Sequence, residues 1–100
     1  MIVYNVTVKV DNTILKDWLI WIEKHMPEVV NTGCFVSSSF FELLDPKTDV
    51  NRTFVIQYFA ENMKEYEKYV SDFAPKLRED GMQKFGDNFV AFRSILQKMD

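Results

Sequence analysis

The sequence predicts an α+β fold in one domain over residues 1–100, with its elements in the order β-α-β-β-α-β. Three observations carry that expectation. Apolar residues alternate from Ile2 to Val10, as in a half-buried strand. Leu15, Trp18, Leu19 and Ile22 then recur at the spacing of one helical face. The same two patterns return in the second half, where β-rich runs at 52–60 and 89–96 flank an apolar helical stripe of Met63, Tyr66, Val70 and Phe73. With 100 residues, 47% of them hydrophobic, such a chain buries about two thirds of its unfolded surface in a single core.

In the first strand Ile2, Tyr4, Val6, Val8 and Val10 share one face, and Val3, Asn5, Thr7 and Lys9 the other. Asp11 or Asn12 is placed to cap the helix that follows. Pro27 is expected to end or kink that helix near Met26, leaving a short helical turn over 27–31 that finishes at Gly33 in a left-handed cap. Residues 34–44, rich in Phe and Val and free of Gly and Pro, read as the second strand. The turn formers of 45–51 suggest a hairpin loop into strand three at 52–60. Asn62 and Glu65 have the spacing of a capping box, so a second helix starts there. Pro75 should kink it or divide it, with the latter part reaching about Lys84 before a turn at Gly86 and Asp87.

Two βαβ-like halves in this order favour a ferredoxin-like arrangement, a four-stranded antiparallel sheet with two helices on one face. Such a sheet ordinarily keeps its other face polar. Here Phe89, Ala91 and Ile95 oppose Val90, Phe92 and Leu96 on strand four, while Val55 and Phe59 oppose Phe54, Ile56 and Tyr58 on strand three. Both faces therefore ask to be buried, and the expected solution is a homodimer through the open sheet face. Covering a few hundred square ångströms of apolar surface per copy gains on the order of ten kcal/mol before association costs.

Composition narrows the function classes. A net charge of -3 lacks the cationic excess that nucleic acid phosphates require. The glycine-containing strand motif of RNA-recognition modules is also missing from residues 52–58, and Tyr4 falls on the helix side. No nucleic acid partner is expected. The single cysteine, Cys34, leaves no partner for an intrachain disulfide and no multi-cysteine zinc site, which suits a reducing cytoplasm. Residues 1–8 read as a strand, not as a basic leader or a membrane span, so a cytoplasmic protein without membrane contact is expected.

With these elements placed, the chain resembles the small bacterial proteins of the domain-of-unknown-function family 4286. The resemblance rests on Tyr4-Asn5-Val6-Thr7-Val8, Trp18 and Trp21, the segment 27–35 with Thr32-Gly33, and Gln57-Tyr58-Phe59-Ala60. It continues through Ala74-Pro75 with Leu77, then Phe85 and Phe89-Val90-Ala91-Phe92-Arg93. It implies a ferredoxin-like fold similar to the dimeric α/β-barrel superfamily, which holds small monooxygenases, haem degraders and isomerases. It implies no established activity, and no metal or haem role is carried onto a chain with Phe73 before Ala74-Pro75.

Asn5, Thr7, Gln57 and Arg93 are the candidate ligand-binding residues, expected together on the sheet face away from the helices. There Arg93 would serve as charge partner for a small polar or anionic ligand and the amides as orienting donors, in a non-catalytic dimer that binds such a ligand or a protein partner; the competing structural reading is a hydrogen-bonded dimer interface. A second function class is a cofactor-poor enzyme resembling small barrel monooxygenases or isomerases, in which Asn5, Gln57 or Arg93 orients the substrate. No catalytic residue, cofactor or metal ligand is assigned. His25 suits a position near a helix C-terminus more than a general base. Cys34 has no neighbouring base in sequence and reads as a packed thiol, and Ser37, Ser38 and Ser39 lack a nucleophile-elbow motif. Trp18, Trp21, Tyr66 and Tyr69 have the spacing of core, with Trp21 partly off the stripe.

Overall fold

A computed structural model describes residues 1–45 and 51–100. Strand β1 (Ile2–Val10) leads into helix α1 (Leu15–Val30), followed by β2 (Ser37–Glu42) and β3 (Arg52–Ala60). Two helices, α2 (Met63–Asp72) and α3 (Ala74–Phe85), then precede β4 (Phe89–Gln97). The four strands form one antiparallel sheet in the order β2-β3-β1-β4.

Period-two alternation decides which side chains meet the helices. Tyr4, Val6, Val8 and Val10 of β1 and Phe54, Ile56, Tyr58 and Ala60 of β3 are buried in one cluster. Trp18, Ile22 and Val29 of α1, Tyr69 of α2 and Ala74 and Phe85 of α3 complete it. Tyr4 stands at its centre, with the rings of Phe35, Tyr58, Tyr66 and Tyr69 at centroid distances of 6.1, 5.8, 5.5 and 5.6 Å.

The termini of the helices show where local chemistry won and where packing overrode it. The Asn62 side chain accepts from the Glu65 backbone N–H at 3.0 Å, the cap expected from the spacing. Asp11 does not cap α1 directly; its carboxylate accepts from the Thr13 N–H at 2.9 Å and the Thr13 hydroxyl at 2.8 Å, one turn ahead of the helix. The Thr13 backbone bond, then the hydroxyl, hold the Asp11 carboxyl below its ordinary range. Helix α1 does not end at Met26 but runs through Pro27 to Val30. A proline removes one backbone donor, and here the last turn is held by burial of Val29 and by the Asn31 N–H donating to the Pro27 carbonyl at 2.8 Å. Gly33 then takes a positive φ of 87°, as the sequence implies for the cap.

Strand β2 is shorter than expected. Cys34 and Phe35 leave the ladder and enter the core, and pairing begins at Ser37. The expected hairpin loop over 45–51 lies largely outside the described residues, because 46–50 are not among them. The second helical stretch is divided at Phe73, with Pro75 in the first turn of α3 where its missing N–H costs nothing. Among the described residues the sheet therefore carries three helices, the expected second helix being divided in two.

Candidate functional site

The face of the sheet away from the helices is built of cross-strand rows. The central row is polar, with Ser39, Gln57, Asn5 and Ser94 from β2, β3, β1 and β4 in turn. One flanking row holds Ser37, Phe59, Val3 and Leu96, and the other Phe41, Val55, Thr7 and Phe92. Lys9, the one charged side chain on this face among the described residues, lies in an outermost row between Thr53 and Val90.

The polar row is internally hydrogen-bonded. Gln57 Nε2 donates to Asn5 Oδ1 at 3.1 Å, and Asn5 Nδ2 donates to Thr7 Oγ1 and Ser94 Oγ, both at 3.4 Å. Around it Phe92, Val90, Phe41 and Leu96 stay open to solvent, at 65%, 50%, 49% and 43% exposure, while Val55 and Phe59 are half-buried and Val3 is buried. Asn5, Thr7 and Gln57 thus meet as expected, and Ser39 and Ser94 complete the row. Ser39 belongs to the serine run expected at the sheet surface or lining a pocket; Ser94 was missed, although alternation from Phe92 already places it on this side.

Arg93 is not on this face. It pairs with Val6, follows the parity of Phe89 and Ala91, and points to the helix side. There Arg93 Nε donates to the Tyr4 hydroxyl at 3.1 Å, and Arg78 Nη2 of α3 donates to the same oxygen at 3.1 Å. The side chain stays wet because β4 is an edge strand that the helix layer covers only in part; Arg93 is exposed and Ala91 half-buried. Arg78 had no signal in the sequence, since its contact with Tyr4 spans 74 residues.

Beside this pair lies a cavity of about 60 Å³ between sheet and helices. Burial pushes the Tyr58, Tyr69 and Tyr66 phenols up, with Tyr4 adding to each; Arg78 and Arg93 pull Tyr66 and Tyr69 partly back. His25 also lines the cavity, stacked on Trp21 at 4.2 Å between centroids. Burial lowers its pKa to about 4, against the pull of Asp80. Its place is inside α1, more than a turn before the helix ends, so the expected helix-terminus role gives way to a neutral ring packed on Trp21. Trp21 is not free: its indole N–H donates to Asp80 at 3.4 Å and its ring meets Phe85 edge-on. Cys34 is a buried free thiol, as expected.

Among the described residues no group of three or more His, Cys, Asp and Glu is placed to hold a metal ion. No helix among them is long and apolar enough to cross a membrane.

The fold and the site together define a small α+β protein: a four-stranded antiparallel sheet with helices on one face and an apolar, polar-centred surface on the other. The chain belongs to the family described as Domain of unknown function (DUF4286), whose model matches residues 1–99. No curated protein matches it. Among solved structures it is similar to a de novo designed protein, Foldit4, with a TM-score of 0.60 and 11% identity over 98% of each chain, a likeness of fold alone.

Proposed function

We propose that this chain is a small binding domain of ferredoxin-like layout that works as a homodimer closed through the open face of its sheet. The single observation that carries the reading is the row pattern of that face, a hydrogen-bonded polar row bracketed by apolar side chains, of which Phe41, Val90, Phe92 and Leu96 stay exposed in the described chain. The ferredoxin-like layout is supported by the order β2-β3-β1-β4, in which each helical connection skips over one antiparallel neighbour. Helices α2 and α3 then jointly take the place of a single second helix.

Area and charge favour a second copy as the occupant. Four strands of up to nine residues, at spacings of about 4.8 Å between strands and 3.3 Å along them, present a face of roughly 500 Å². Two such faces remove roughly 1,000 Å², the least that a specific interface needs. With about half of it apolar, the gain is on the order of ten kcal/mol before association costs. Lys9 alone is charged there, and it sits at the margin, as in interfaces that are depleted of charge at their centre. A two-fold axis brings the polar row against its own copy, which fixes register and encloses amide and hydroxyl groups for a small polar ligand. Arg93 points to the other side, so an anionic ligand on this face loses its expected charge partner and the enzyme reading loses one of its three orienting residues.

The test is Phe92→Asp, at a position exposed enough in the protomer to leave its fold intact. Burying an unpaired carboxylate in the contact should weaken self-association about a hundredfold or more. Equal self-association of variant and wild type across a dilution series would remove the reading.

A further inference from the structure

We infer that the cleft between the α2–α3 layer and the uncovered edge of β4 binds a small organic carboxylate, held by Arg78, Arg93 and the Tyr4 hydroxyl. This site lies on the helix side of the sheet and does not depend on the proposed dimer.

Two guanidinium groups converge on one neutral oxygen, each at 3.1 Å from the Tyr4 hydroxyl. Neither makes an ion pair among the described residues. Cations brought together in a partly covered site ordinarily share a carboxylate, since their mutual repulsion and lost hydration otherwise go uncompensated. Three further donors have no acceptor among the described residues, one of them buried and those of Arg93 open to water. Arg78 Nε is buried without a hydrogen-bond partner. The terminal nitrogens of Arg93 donate to no described residue, and Tyr4 accepts twice through an oxygen whose own proton is donated to none of them. An oxyanion satisfies all three at once, taking N–H bonds from the guanidiniums and an O–H bond from the phenol.

The surroundings select among oxyanions. Behind the arginines the cavity is walled by Val6, Ile22, Leu77, Phe89 and Ala91, which offer nothing to a fully ionic phosphate but cover an apolar tail. Its volume of about 60 Å³ compares with about 150 Å³ for a cavity that takes benzene, so it admits a short chain and not a ring. Propionate and butyrate have the required head and tail.

The experiment is an amide and arginine side-chain NMR titration of the full chain with butyrate, propionate, benzoate and inorganic phosphate at constant ionic strength. Butyrate or propionate should shift the Tyr4, Arg78 and Arg93 signals saturably, with millimolar dissociation constants, and benzoate and phosphate at least about tenfold more weakly. Arg93→Gln, an exposed position, and Arg78→Gln should each weaken butyrate binding about tenfold, the loss of one charge-assisted hydrogen bond. Melting curves establish that each variant is folded. Unsaturable shifts with butyrate on folded wild type, phosphate binding as tightly as butyrate, or folded arginine variants with unchanged affinity would each overturn the inference.

Discussion

Replacing Gly81 by Ala should destabilise the protein, although helix propensity alone predicts the opposite. Gly81 lies inside α3, where Ala is favoured over Gly by about 1 kcal/mol. A Cβ at this position, however, would stand 3.1 Å from Trp21 Cη2 and 3.2 Å from Cζ2. The indole is held from three directions, although it also borders the small cavity between sheet and helices. His25 is stacked against it, the Phe85 ring closes on it edge-on at 5.7 Å, and its N–H is tied to Asp80. Overpacking of a fixed ring costs about 1–3 kcal/mol, so the net expectation is a loss of about 1 kcal/mol. In a domain of this size that lowers Tm by about 4–8 °C. The assay is thermal and urea unfolding of four proteins: wild type, Gly81→Ala, Trp21→Leu and the double variant. In the Trp21→Leu background the same Gly81→Ala change should stabilise by about 1 kcal/mol, giving a coupling of about 2 kcal/mol. A higher Tm for Gly81→Ala alone, or no coupling in the cycle, would refute the packing argument.

Two further expectations concern pH and capping. His25 has a folded pKa of about 4, set by burial against the pull of Asp80, compared with 6.5 when exposed. Below pH 6.5 the unfolded chain therefore takes up a proton that the folded chain refuses, so His25 costs no stability above that pH. As pH falls from 6.5 towards 4 stability drops, by up to about 3 kcal/mol. Urea midpoints for His25→Phe should lose that part of the slope, and an unchanged profile would contradict it. Asn62→Ala removes the acceptor for the Glu65 N–H and should cost about 1 kcal/mol in urea unfolding, with Asn62→Asp retaining most of it; equal stability of all three would show that the cap contributes nothing.

The strands and the start of α2 were legible because they rest on local rules: alternation in residues 2–10 and 52–60, and the Asn62 to Glu65 spacing. What the sequence concealed depends on contacts between distant segments. Pro27 marks a helix end by local rules, yet the burial of Val29 carries α1 past it. Cys34 and Phe35 have the composition of strand and sit in the core outside the ladder. Of the candidate residues, Asn5, Thr7 and Gln57 assemble as read, because parity along β1 and β3 fixes their face. Arg93 was assigned to the open face by alternation, but with the wrong parity along β4; an edge strand gives its charge water on the helix side as well. The parity of Phe89 and Ala91 was the better guide. Arg78 and Gly81 acquire meaning only once α3 is packed against Tyr4 and Trp21.

Sedimentation equilibrium of the wild-type chain at micromolar concentration tests the central claim most directly. A face-to-face pair predicts twice the 11.8 kDa of one chain, persisting on dilution into the low micromolar range. A single species of 11.8 kDa across that range would contradict it.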